Sequence, residues 1–504
     1  MDRTHILTEL RESQETFDVL IIGGGATGLG CAVDSATRGY RTVLVERHDF
    51  ASGTSSRSSK IIHGGLRYLK QANFSLVAEA LRERRLLLKN APDFVHELRY
   101  FIPHSDLTSG IVHRCGLGIY QLLAGRNRVG RVTRPSQTEI EESMPGLALT
   151  AGAGGLCYSD AQFDDAGLAI GLARTAFAHG ATVLNYLSVE RLLKERDRTV
   201  GAEVLDRETG QRFEIRARVV INASGPFSAA ISELDGVKPP ALRLSQGAHI
   251  VLDREFFPGD TALIAPLADN GRVLLAVPWF GSVVIGPTDT EIATIERNPV
   301  PRPEELAALL SSAARFLRRA PRESDVKSMF AGIRPLAGAS SGSTATASRE
   351  HALGVSPSGL VSITGGKWTT YRRMAQDTID RAAQVGGLRR RRCVTDSLAI
   401  STLRAALRDS LSADDPRADE RLHPQRRETR ADVIVAARFE MARRVEDVLA
   451  RRSRVLFTDA RLAIELAPSV AQILADELGH DSGWIQHELR SFTDLAKSYL
   501  PSME

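Results

Sequence analysis

Three glycines, Gly23-x-Gly25-x-x-Gly28, follow the apolar run FDVLII and open the small-residue stretch ATGLGCAV. At this spacing the first glycine permits a tight turn and the second lets backbone approach a pyrophosphate. The third lets a helix pack closely on a strand. The helix that starts there offers N–H groups and partial positive charge to phosphate oxygens. Glu46 ends the run RTVLVE, 18 residues beyond Gly28, where a carboxylate accepts hydrogen bonds from a ribose diol. Strand, glycine turn, helix, second strand and acid together predict dinucleotide binding.

This motif does not separate a nicotinamide from a flavin, but three later stretches bear on the choice. Residues 53–69, GTSSRSSKIIHGGLRYL, place Ser55, Ser56, Ser59, Lys60, His63 and Gly64 directly after the second strand. A nicotinamide dehydrogenase would begin another βαβ unit there, whereas a run of hydroxyl and backbone donors suits a cofactor lying extended across it. VVINASG ends in a further glycine turn at Ala223 and Gly225. SITGGKWTTYR brings Gly365 and Gly366 to a helix start beside Lys367, Trp368 and Thr369. A helix N-terminus can stabilise the negative charge of a reduced flavin. Singly, a solvated serine loop or an ordinary strand-to-helix turn would look the same.

The elements that must position these residues are readable in outline. FDVLII and RTVLVE have the continuous apolar character of parallel strands buried on both faces. Residues 73–90 and 111–131 have helical spacing. Residues 181–193 and 200–222 alternate as strands, with a turn near ETGQ, and residues 242–290 contain several strand-like runs that predict a largely antiparallel sheet. VSITGG is another apolar strand. The basic run GGLRRRRC at 386–393 reads as a solvated linker, and beyond about residue 396 the chain reads as amphipathic helices.

Composition bounds the answer. A chain of 504 residues is too long for one ordinary core. Apolar residues at 43% and charged residues at 25% exclude collagen-like, disordered and disulfide-scaffold classes. A net charge of +4 implies no nucleic-acid partner. Cys31, Cys115, Cys157 and Cys393 form no CxxC pair, so a reducing compartment and no metal site are expected. The charged N-terminus lacks the apolar core of a secretory signal, and no run of about 18 apolar residues would span a membrane.

The stretches FDVLIIGGGATGLG, SSRSSKIIHGGLRYLKQANFSLVAEALRER, VVINASGPF, GAHIVL, AGIRPL, SREH, TGGKWTTYRRMA and RFEMARRVEDVLARRSRVLFTDA resemble the respiratory FAD-dependent glycerol-3-phosphate dehydrogenases, from about residue 17 to about 490. Departures are small: NASGP stands for the family's NATGP, ATG for its INGAG-like residues, and GPTD puts a proline in the turn where GTTD is usual. The resemblance implies an α/β fold in which a Rossmann-type FAD-binding domain is interleaved with an antiparallel-sheet substrate domain, with a C-terminal α-helical domain appended. The first two would fill 1–395, with substrate parts roughly 66–160 and 230–350, and the helical domain 396–504.

The same resemblance implies a reaction and its residues. sn-Glycerol 3-phosphate would be oxidised to dihydroxyacetone phosphate by hydride transfer from C2 to FAD, with electrons passed to a membrane quinone. Carried over by motif, Arg67, Tyr68 and Arg349 would bind substrate, and His249, Arg334 and Lys367 would be catalytic. An imidazole that titrates near neutrality suits a base, and Arg forks suit a phosphate dianion. Peripheral attachment to the inner face of the cell membrane, with residues 111–131 as candidate contact, and a homodimer are also implied. An oxidase that passes electrons to oxygen, an amine oxidase on the same fold, and a non-catalytic flavin-binding module remain alternatives.

Overall fold

The computed structural model describes every residue except 14, 72, 105–106, 149–153, 239–241, 268–272, 338–349, 401–402 and 503–504. The chain builds two sheets by passing back and forth between them. In the first, the strands run in the order His351–Val355, Val361–Gly365, Arg212–Asn222, Phe17–Ile22, Thr42–Val45, Thr182–Leu184. All neighbours are parallel except the outermost pair. A ribbon of Leu187–Glu195 and Arg198–Asp206 folds back antiparallel onto Arg212–Asn222. The glycine helix Ala26–Thr37 packs between helices Asp165–Ala178 and Tyr371–Val385. Val19, Leu20 and Ile21 are fully buried, as their unbroken apolar run requires.

Among the described residues the second sheet has nine strands and is antiparallel apart from one pairing, Thr261–Pro266 with Val95–His104. Its long central strand, Leu242–Asp253, carries Gly247 and His249 and pairs with Ser328–Ala337, which carries Arg334. Segments 61–163 and 242–337 supply this sheet, and 17–45, 182–222 and 351–365 supply the first. The chain therefore crosses between the sheets four times, and the large cavity described below lies where it crosses.

From Arg404 onward the described residues are mainly helical, with principal helices Arg404–Asp414, Arg430–Glu440, Ala460–Leu478 and Ser482–Lys497. Their core is continuous with the second sheet: Val251, Trp279, Val284 and Phe330 pack in one cluster with Leu456, Phe457, Leu466 and Phe492.

Two local features add to the sequence reading. The run at 386–393 is solvated, with Arg389, Arg390, Arg391 and Arg392 exposed, but it is also anchored. Arg391 donates to the carbonyls of Arg38 and Gly39 and lies over the Tyr40 ring, and Tyr40 donates to the Arg389 carbonyl at 2.7 Å. A guanidinium can satisfy carbonyls at a helix C-terminus, and those partners are invisible in a run of four arginines. The N-terminus forms an amphipathic helix, Arg3–Glu12, whose Ile6, Leu7 and Leu10 are buried and whose Arg3 pairs with Asp206 at 2.6 Å.

Candidate active site

The glycine turn is sterically exacting. A Cβ on Gly28 would sit 1.9 Å from the Gly23 carbonyl oxygen, and Gly23 itself has φ +114° against the Ala223 carbonyl. No larger residue fits at either position, so the first turn of Ala26–Thr37 lies tightly against the strand end. Ser55 Oγ accepts from the Ala26 N–H at 2.9 Å at this helix start. Glu46 accepts from the N–H groups of Gly24 at 2.6 Å and His48 at 2.8 Å; burial raises its pKa while these two amides oppose the rise.

These residues open into a cavity of about 1890 Å³. That is about twice the upper end of the ~300–1,000 Å³ typical of small-molecule sites, enough for an extended dinucleotide and a second small ligand. Of the expected residues, Gly23, Gly25, Glu46, Ser55, Ser59, His63, Tyr68, Ala223, Gly225, His249, Arg334, Gly366, Lys367, Trp368 and Thr369 all line it. The C-terminal glycine turn is anchored across it: Trp368 Nε1 donates to the Ser55 carbonyl at 2.8 Å, and Thr369 Oγ1 to that of His63 at 3.3 Å.

At the other end sit the groups with acid–base character. His249 is buried; its ring stacks on Phe330 at 4.8 Å, and its Nε2 lies 2.9 Å from Ser59 Oγ. Burial, with the Arg334 and Lys60 cations, holds its pKa well below the ordinary histidine value, so the ring is neutral at neutral pH. Arg334 is held by the Thr288 carbonyl and Ser245 Oγ, both at 3.3 Å, and by Asp289 at 3.4 Å. The Lys367 ammonium lies 4.2 Å from the centre of the Tyr68 ring. A neutral imidazole, a guanidinium and an ammonium thus share one cavity with the glycine helix.

Four expected cofactor residues do not line the cavity. Gly28 acts through the helix–strand contact already described. Gly64 turns its N–H toward Asp160, 3.3 Å away, and a Cβ there would strike Tyr120. The Ser56 side chain is buried, and its carbonyl faces away from the cavity toward Lys60 and Arg454. Lys60 is fully buried; its Nζ donates to Asp165 and the Ser56 carbonyl, both at 2.7 Å. A lysine beside serines reads as a cofactor donor in sequence, but an acid more than 100 residues away claims it. Arg349 and the Arg67 side chain lie outside the described residues.

Among the cavity residues that sequence reasoning missed are Arg57 and Gly247. Arg57 donates to the carbonyls of Ser52 and Gly53 and to Asn298 Oδ1 at 2.7 Å. Gly247 lies flat under Arg334: a Cβ there would be 2.0 Å from Nη2. A glycine inside the strand run LSQGAHIVL was the available signal, since such a glycine marks close approach.

A nucleotide-binding sheet joined to an antiparallel sheet, with a glycine cradle opening onto a cationic, histidine-bearing cavity, defines an FAD-dependent oxidoreductase. Residues 18–372 match the family model of FAD dependent oxidoreductases, and residues 401–483 that of the C-terminal domain of alpha-glycerophosphate oxidase. The chain is 36% identical to the mitochondrial glycerol-3-phosphate dehydrogenase of Arabidopsis thaliana, over 97% of this chain and 87% of that protein. It is 39% identical to the Homo sapiens mitochondrial enzyme of that name, over 76% of this chain and 55% of that protein. The structure of a glycerol-3-phosphate dehydrogenase from Bacillus halodurans complexed with FAD superposes with a TM-score of 0.78 at 27% identity, covering 100% of this chain and 99% of that one. The chain belongs to the FAD-dependent glycerol-3-phosphate dehydrogenase family.

Proposed function

We propose that the cavity oxidises the C2 hydroxyl of sn-glycerol 3-phosphate to the ketone of dihydroxyacetone phosphate, with His249 as base, Arg334 and Lys367 as the cations beside the reacting oxygen, and Tyr68, Arg67 and Arg349 as further substrate contacts. The supporting observation is that a neutral, buried imidazole and two cations share one cavity with the dinucleotide cradle. Gly23, Gly25 and the first turn of Ala26–Thr37 would hold the pyrophosphate of FAD, Glu46 the ribose, and the 365–369 turn the isoalloxazine side. FAD, when bound, accepts the hydride from C2. His249 takes the hydroxyl proton, its ring fixed between Phe330 and Ser59 Oγ. Arg334 and Lys367 lower the energy of the developing alkoxide.

The phosphate supplies the specificity. Arg67 and Arg349, as the further substrate contacts in this reading, suit a dianion and gain little from an uncharged polyol. Steady-state turnover with an artificial acceptor tests this: glycerol 3-phosphate should be oxidised and free glycerol should not. Equal turnover of both would refute it.

A membrane quinone is the electron acceptor in this reading. One wall of the cavity is apolar, through Ile102, Val112, Gly116, Ile119, Ile264 and Leu275. Three of these belong to helix Leu107–Ala124, which exposes Ile111, Val112, Ile119 and Leu122, the last at 78%. Exposed Arg114, Arg126 and Arg128 flank this face. An apolar helix face with interleaved arginine suits the interface of an anionic bilayer. No helix among the described residues is long and apolar enough to cross a membrane, so attachment would be peripheral, on the inner face of the cell membrane. Reoxidation by a quinone analogue much faster than by air would support the dehydrogenase over the oxidase. The homodimer rests on the resemblance and is tested by light scattering.

A further inference from the structure

The C-terminal helical unit has no assigned part in the reaction, yet it reaches the back of the substrate site. Arg454 stands between two of its helical turns, Asp447–Arg452 and Val455–Thr458, and is 1% exposed. Its guanidinium donates to the Ser56 carbonyl at 3.0 Å, to Asp165 Oδ1 at 2.8 Å and to the Ala450 carbonyl at 2.7 Å. It also lies over the rings of Trp279 and Phe457, at 5.1 and 4.5 Å. Asp165, fully buried, receives Lys60 on its other oxygen at 2.7 Å. Burial alone would raise the Asp165 pKa, but the Lys60 and Arg454 cations outweigh it and hold the group ionised.

This buried cluster lies behind the loop that faces the cavity. Ser55, Ser58 and Ser59 line the cavity, while the Ser56 carbonyl and the Lys60 ammonium turn the other way toward Arg454 and Asp165, and the Ser58 hydroxyl also donates to Asp165. The loop is fixed from behind at 56 and 60 and through the Ser58 hydroxyl, and so presents 55 and 59 in front. Ser55 Oγ meets the glycine helix and Ser59 Oγ meets His249.

A second path reaches His249 through rings. His249 stacks on Phe330, and Phe330 meets Phe457 edge-on at 4.9 Å. Phe457, from the C-terminal unit, contacts Tyr499 in turn at 5.5 Å. Lys60 Nζ sits about equally far from Trp279, Phe330 and Phe457, at 4.9, 5.0 and 4.9 Å. Close-packed interiors transmit such contacts because the side chains have little room to relax.

We propose that the C-terminal helical unit is an intramolecular brace of the substrate-oxidising site, with Arg454 as its positioning residue: Arg454 and Phe457 fix the 55–60 loop and the His249 ring in mutual register. The proposal rests on the reading that His249 is the base. Bidentate, planar recognition is what the site demands of Arg454, since one guanidinium must bind a carbonyl and a carboxylate together.

The test uses the FAD-loaded full-length enzyme and anaerobic stopped-flow reduction by glycerol 3-phosphate. Arg454→Gln leaves Asp165 paired with Lys60, so the chain should fold. Reduction should slow at least tenfold while the substrate concentration for half-maximal rate changes less than threefold. Arg454→Lys, which keeps the charge but not the fork, should recover only part of the rate. On a His249→Asn background, Arg454→Gln should add less than threefold, because it acts through His249. Should Arg454→Gln not fold, Phe457→Leu replaces it; that variant keeps every ion pair, removes the ring behind Phe330 and should also slow reduction. Wild-type reduction in Arg454→Gln, or in Phe457→Leu where that is used, overturns the brace while leaving a slow His249→Asn to support the base. A full tenfold further loss on the His249→Asn background overturns it as well. Wild-type reduction by His249→Asn refutes the base reading instead.

Discussion

Gly247→Ala separates catalysis from folding at one atom. The new Cβ would lie 2.0 Å from Arg334 Nη2, where van der Waals contact needs about 3.5 Å, so the guanidinium must move by about 1.5 Å. That shift would break its contacts with the Thr288 carbonyl and Ser245 Oγ and its pairing with Asp289. The backbone has no reason to move: Gly247 is paired in register with Gly332 and has no left-handed φ, and its clash is with the flexible end of a side chain. Gly→Ala at a compatible site even stabilises, by about 0.4–1 kcal/mol through the unfolded chain. A misplacement of about 1 Å near reacting atoms can cost about 10²-fold in rate. The expected variant therefore binds FAD and melts at or slightly above the wild-type temperature, yet its flavin is reduced about 10²-fold more slowly. Wild-type reduction, or a rate loss matched by a fall in melting temperature, would refute the reasoning.

His249→Asn should slow flavin reduction by about 10²–10⁴-fold with little change in substrate affinity, read by stopped flow. Arg334→Gln removes a cation that helps hold the His249 pKa down, so that pKa should rise. Protonated His249 cannot act as base, so the acid limb of the reduction rate should move to higher pH than in the wild type. Asp165→Asn removes the carboxylate that Lys60 and Arg454 share and leaves the buried Arg454 cation without it, and should cost about 3–5 kcal/mol in denaturant melts, whereas Lys60→Met, which leaves Asp165 with Arg454, should cost less than half as much. Replacing Ile111 and Leu122 by serine should weaken binding to anionic vesicles by on the order of 10²-fold and leave flavin reduction intact, since each buried aliphatic contributes about 1.5–3 kcal/mol.

The legible parts of this molecule are those where local pattern and global structure make the same demand. The unbroken FDVLII run, the glycine spacing and Glu46 call for a parallel strand, a tight turn and an acid at the end of a second strand, and the fold supplies all three. His249 and Arg334 were reached through motif resemblance, because a lone histidine or arginine carries no such periodic signal; their nearness follows from strands Leu242–Asp253 and Ser328–Ala337 pairing across more than 80 residues of sequence. Lys60 was misjudged for the same reason in reverse. Its partner Asp165 and the rings around it come from four distant segments, and no local spacing reveals them. The N-terminal helix carried an amphipathic signal, Ile6, Leu7 and Leu10, within a stretch whose charges drew attention instead.

The most direct test of the central claim is an anaerobic single turnover. Glycerol 3-phosphate added to the FAD-loaded enzyme should abolish the flavin band near about 450 nm and yield one dihydroxyacetone phosphate per flavin. An unchanged flavin band in a folded, FAD-loaded enzyme would contradict the assignment of this cavity to glycerol 3-phosphate oxidation.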